Sequence, residues 1–74
     1  CILNILIMAK IQLNGRKLEL SNKKSIATLL KKYKINSKNI AVELNGIIIN
    51  RSKYKLTFIR DKDKIEIVHF IGGG

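Results

Sequence analysis

Two Asn-Gly pairs, Asn14-Gly15 and Asn45-Gly46, constrain the fold of this chain more than any other feature. Asn and Gly both tolerate positive φ, which two-residue hairpin turns require at their central positions. Each pair sits between short, largely apolar runs. Lys10-Ile11-Gln12-Leu13 and Lys17-Leu18-Glu19-Leu20 alternate polar with apolar, so they read as the half-buried arms of one hairpin. Ile40-Ala41-Val42-Glu43-Leu44 and Ile47-Ile48-Ile49-Asn50 flank the second turn. In the former, Ile40, Val42 and Leu44 are expected inside and Ala41 and Glu43 outside. The isoleucine run is too apolar to face water on both sides.

Between the hairpins the period changes. Ile26, Leu29, Leu30 and Tyr33 fall at i, i+3, i+4 and i+7, one apolar face of a helix ending at Tyr33 or Lys34. Ser25 is placed to cap it, and Lys31, Lys32 and Lys34 suit its negative end. Residues 51–55 form a polar loop or helical turn, Thr57-Phe58-Ile59 leads into a charged turn at Arg60–Asp63 read as solvated loop, and Lys64–Phe70 is a final strand. The order β-β-α-β-β-β predicts an α+β domain with one main helix packed on one sheet face.

At 74 residues there is one domain. A chain of this length buries only about 60% of its unfolded surface. Such a core disfavours a deep catalytic pocket and favours a protein that is bound or handed on. The residue inventory points the same way. Cys1 is the single cysteine and His69 the single histidine, so no disulfide, metal-ligand set or Ser/His/Asp constellation can be assembled. The net charge of +10 is compatible with an acidic partner or nucleic acid. It also follows from composition, because 12 Lys, 14 Ile and 7 Asn supply close to half the chain, as AT-rich codons would. The lysines are scattered over helix, loops and strand ends.

The ends differ from the middle. Residues 1–7 are apolar but far short of the roughly 20 residues a membrane helix needs, and they lack the basic start of a signal peptide. Met8 reads as the true start, with residues 1–7 a gene-prediction extension and a genuine extra half-strand the alternative. The domain is expected over residues 8–71 and a flexible tail over 72–74. Three of the five glycines are Gly72, Gly73 and Gly74, directly after a strand. Without Cβ atoms, such a tail can thread a narrow channel and present the terminal carboxyl group to a second protein. A carboxylate is ionised at neutral pH and a poor electrophile, so it needs activation. The chain has no phosphate-binding G-x-x-x-x-G-K-S/T loop, so activation would come from a separate ATP-using enzyme.

The ending Ile65-Glu66-Ile67-Val68-His69-Phe70-Ile71-Gly72-Gly73-Gly74 resembles the C-terminal signature of the ThiS family, the sulfur carriers of thiamin biosynthesis. Leu13-Asn14-Gly15, the stretch 26–33 and Val42-Glu43-Leu44-Asn45-Gly46 follow in the family order, and the resemblance runs from Met8 to Gly74. It implies a β-grasp, ubiquitin-like fold with a mixed sheet. It implies that a ThiF-like adenylyltransferase activates the Gly74 carboxylate with MgATP and that sulfur ultimately from cysteine converts it to a thiocarboxylate. ThiG, thiazole synthase, then receives the sulfur. The chain itself is then expected to be a carrier without catalytic residues or a bound cofactor, a monomer when alone, in the cytoplasm or, if organelle-encoded, the plastid stroma. Gly73 and Gly74 match the family diglycine and Gly72 is a third.

On the last strand, Ile65 and Ile67 should face the helix and Glu66, Val68 and Phe70 the opposite side. Val68, Phe70 and Ile71, with Ala41 and Glu43 beside them, make a candidate partner-binding patch next to the tail. His69 reads as a structural or edge residue. Two alternatives stand beside this: a MoaD-like carrier for molybdopterin synthesis, which shares the diglycine, and a basic nucleic-acid-binding module. Against the latter, only three Arg residues are present and no aromatic cluster offers a stacking platform.

Overall fold

The computed structural model describes residues 9–21 and 23–70. Its elements are β1 (Ala9–Leu13), β2 (Arg16–Leu20), α1 (Ile26–Lys32), β3 (Ile40–Leu44), β4 (Ile47–Ile49), a 3-10 turn (Arg51–Lys53) and β5 (Lys64–His69). Both Asn-Gly pairs make the expected turns. Asn14 and Gly15 take φ of 50° and 82°, and Asn45 and Gly46 take 53° and 85°.

The strands form one sheet in the order β2-β1-β5-β3-β4. β5 inserts between the two hairpins, parallel to β1 and antiparallel to β3, so the sheet is mixed. Helix α1 covers one face. The core gathers Ile11 and Leu20 from the first hairpin, Ile26, Leu29 and Leu30 from α1, Ile40 and Val42 from β3, and Ile65 and Ile67 from β5. Tyr54 and Ile59 close it from the crossing segment. This is the β-grasp arrangement expected from the resemblance.

Helix α1 is short, and both its ends are capped. The Ile26 and Ala27 N–H groups donate to the carbonyls of Thr57 (2.9 Å) and Tyr54 (3.0 Å). The Thr28 N–H donates to the Ser25 hydroxyl at 3.2 Å. The donors a helix start leaves unpaired are thus satisfied. At the far end Lys34 N–H donates to the Lys31 carbonyl and Ile35 N–H to the Leu30 carbonyl. That 5→2 and 6→1 pair is a Schellman motif, in which Lys34, at φ 56°, occupies the left-handed position usually given to glycine.

Four expectations are corrected. Tyr33, the fourth residue of the apolar face, lies at the C-cap, where the helix stops, and is 40% exposed. Its ring instead lies 5.8 Å from the Lys32 ammonium. Two of the three β4 isoleucines face water, one on each side: Ile47 is 67% and Ile48 69% exposed at the sheet edge, while Ile49 is half-buried against the core. Tyr54, read as part of a polar loop, is buried. Finally, the 60–63 turn is more than solvated loop. The Asp61 carboxylate accepts from Lys10 N–H at 2.8 Å, the Asp63 carboxylate accepts from Arg60 N–H at 2.7 Å, and the Asp63 carbonyl accepts from Gln12 N–H at 3.0 Å.

Candidate functional site

The sheet face opposite α1 carries no covering element among the described residues. Strand alternation puts every second side chain there. Pairing aligns Lys10 with Glu19, Gln12 with Lys17 and Lys64, Glu43 with both Glu66 and Ile48, and Ala41 with Val68. The inward set of β3 and β5 is as expected, with Val42, Ile65 and Ile67 buried. Val68 and Glu66 point outward. Phe70 follows Val68 by alternation, and its N–H donates to the Asn39 carbonyl at 2.8 Å, extending the β3 side of the ladder past β5.

This face is graded in chemistry. At the end where β5 starts, a shallow depression is bordered by Lys10, Lys17, Lys62 and Lys64 together with Glu19 and Asp63. Midway, Glu43 and Glu66 stand directly opposite each other. At the end leading to the tail, Val68 is 46% and Phe70 57% exposed, with half-buried Ala41 next to Val68. Ile48, absent from the patch read in the sequence, belongs to this face through its pairing with Glu43. The register supplied what residue type alone did not.

Of the residues assigned to the site from sequence, the structure brings Val68, Ala41, Glu43 and Phe70 together. Ile71, Gly72, Gly73 and Gly74 lie outside the described residues. His69 is exposed on the last rung of β5, opposite Ile40. Among the described residues no group of three His, Cys, Asp or Glu side chains could hold a metal ion, and no helix is long and apolar enough to cross a membrane.

Sequence reasoning took the two turn asparagines as turn formers only. Both also grip β5. Asn45 N–H donates to the Lys64 carbonyl at 2.7 Å, its side-chain Oδ1 accepts from Lys64 N–H at 2.9 Å, and its Nδ2 donates to Asp63 Oδ1 at 3.0 Å. Asn14 N–H donates to the Ile65 carbonyl at 2.9 Å, and its Oδ1 accepts from Ile67 N–H at 2.7 Å. The partners lie far away in sequence, and no local pattern announces them.

The ThiS family matches residues 5–74, so the likeness begins at Ile5, earlier than the Met8 read from the sequence. The sulfur carrier protein ThiS of Bacillus subtilis is 42% identical over 67 residues, covering 86% of this chain and 98% of that protein. A ycf40 protein of Pyropia yezoensis is 38% identical over 64 residues, covering 86% and 90%. A thiazole synthase of Paramagnetospirillum magneticum is 38% identical over 65 residues, 88% of this chain but only 20% of that protein. The crystal structure of the thiamine biosynthesis protein ThiS from Geobacter metallireducens superposes with a TM-score of 0.77 at 28% identity, covering 88% of this chain and 99% of that one. A match through nearly the whole chain, on the same mixed sheet and single helix, has one meaning: the chain belongs to the ThiS family.

Proposed function

We propose that this protein is the sulfur carrier of thiazole formation in thiamin biosynthesis, loaded at the Gly74 carboxyl group. One observation carries the proposal. The family match runs through the terminal triglycine, and before it Val68 of β5 and Phe70, just past that strand, are exposed on an uncovered sheet face. An apolar patch beside a slender tail suits docking by the globule and chemistry at the tail.

In the first step a Gly74 carboxylate oxygen attacks the α-phosphorus of MgATP held by a ThiF-like adenylyltransferase. Pyrophosphate leaves, and the acyl-adenylate now carries a good leaving group. A hydrosulfide-level sulfur nucleophile then attacks the carbonyl carbon, a C–S bond forms, the C–O bond breaks and AMP departs. The resulting thiocarboxylate gives its sulfur to a ThiG-like thiazole synthase. The likeness to a segment of a thiazole synthase supports that partner, since in that relative carrier-like and synthase sequences share one polypeptide. The likeness to ycf40 proteins, with the Lys, Ile and Asn bias, supports a plastid-encoded carrier working in the stroma.

Intact-mass measurement tests the chemistry. With the adenylyltransferase, MgATP and a sulfur donor, the chain should gain about 16 Da, sulfur for oxygen at the attacked carbonyl. Deleting Gly74 should abolish the gain while the melting temperature stays within about 2 °C, as expected for a change outside the core. A deletion variant that still gains sulfur would overturn the assignment of the terminal carboxyl. Recovery with the large molybdopterin synthase subunit, in preference to thiazole synthase, would move the protein to the MoaD-like branch.

A further inference from the structure

We propose that Asn14 is a positioning residue for tail delivery: its side-chain amide stands in for a missing strand residue and holds the outgoing end of β5. The functional half of this rests on the carrier role proposed above.

The main chain of β1 pairs with β5 only as far as Leu13 and Ile65. Asn14 N–H still reaches the Ile65 carbonyl, and the chain then turns away through Asn14 and Gly15, both at positive φ. In a parallel ladder the next groups of β5 to face β1 are the N–H and carbonyl of Ile67. There the Asn14 side chain takes over. Ile67 N–H donates to Oδ1 at 2.7 Å, and Nδ2 donates to the Ile67 carbonyl at 3.4 Å. A primary amide offers the same acceptor and donor as a peptide unit. The side chain therefore prolongs β1 by one rung after its backbone has left.

The rung matters because of where it lies. Val68 of β5 and Phe70, just past its end, are the next outward residues. On the β3 side they are held by the Ala41–Val68 pairing and the Phe70-to-Asn39 bond. On the β1 side, among the described residues, the Asn14 amide is the last hold on β5 before its end. Asparagine alone meets both demands at this position. Glycine would fit the turn but carries no amide, and longer amides fit positive φ poorly. Asn45 supplies an internal comparison: the same kind of grip, made at Lys64 where β5 begins.

The experiment compares Asn14→Gly, Asn14→Asp and Asn45→Gly in the full chain. Two readouts are taken: native-state amide exchange at Ile67, and carrier KM and kcat in ATP–pyrophosphate exchange by the adenylyltransferase. In Asn14→Gly the Ile67 amide should exchange about tenfold faster, the factor for one lost hydrogen bond. KM for the carrier should rise about fivefold with kcat within about twofold, the pattern of weakened docking. Asn14→Asp keeps the acceptor of the shorter bond and should recover most of both. Asn45→Gly should melt lower yet leave Ile67 exchange and KM unchanged.

An Ile67 amide that stays protected in Asn14→Gly overturns the clamp. A KM unchanged despite a loosened Ile67, or raised equally by Asn45→Gly, overturns the positioning role. A parent chain that forms no adenylate at all sinks the carrier role and the delivery role together, while exchange at Ile67 still decides the clamp.

Discussion

Single residues carry more of this fold than their types suggest. Lys34 holds the left-handed position of a Schellman motif without glycine's freedom. A left-handed conformation costs a non-glycine residue roughly 1–2 kcal/mol, partly offset because glycine loses more entropy on folding. Lys34→Gly should therefore stabilise the domain by about 0.5–1 kcal/mol in urea unfolding; a loss of stability would show that the Lys34 side chain makes a compensating contact. The asparagines mark how far sequence reasoning reaches at this scale. That Asn14 and Asn45 form turns was legible, because turn chemistry is local. Their grip on β5 was not, because the bond from Ile67 to Asn14 spans 53 positions and depends on the finished sheet.

At the scale of elements, periodicity together with the turn signals located the described strands and the helix, and alternation assigned the faces of β3 and β5 correctly. It failed where an element ends or sits at an edge. Tyr33 keeps the helical spacing, yet the helix stops there, so the residue meets water. Ile47 and Ile48 are apolar enough for any core, yet β4 is the sheet margin and α1 does not reach it. Hydropathy records what a residue prefers; coverage depends on neighbours. The candidate face was half legible for the same reason. Val68 and Phe70 followed from alternation, whereas Ile48 needed the register. That register also brings Glu43 and Glu66 together, and like charges directly opposite destabilise a sheet. Glu66→Gln should raise stability by about 0.2–1 kcal/mol at low salt, and the gain should shrink as salt is added. A destabilised variant would mean the pair is already neutralised by a lysine of the neighbouring depression.

For the whole molecule, the net charge of +10 on 74 residues is the dominant long-range term. Self-repulsion opposes compaction, and salt shortens its reach. Raising sodium chloride from about 0.01 M to about 0.15 M shortens the screening length roughly fourfold. The melting temperature should then rise by a few degrees, about half a kcal/mol for a domain this small. A flat or falling profile would place the lysines too far apart to repel. The same charge can speed encounter with an acidic partner, but it says nothing about fold.

The position of β5 has a kinetic corollary. It is the last of the described strands along the chain, yet it occupies the middle of the sheet. Until it arrives, the two hairpins share no neighbouring strand, and the buried Ile65 and Ile67 are missing from the interior. Pairing β1 with β5 closes a loop of about fifty residues, a non-local step that slows folding relative to locally wired domains. Synthesis from the N-terminus therefore delivers the middle strand of the sheet after the other four described strands. The segment that leads into the glycines is also the wedge that completes the interior.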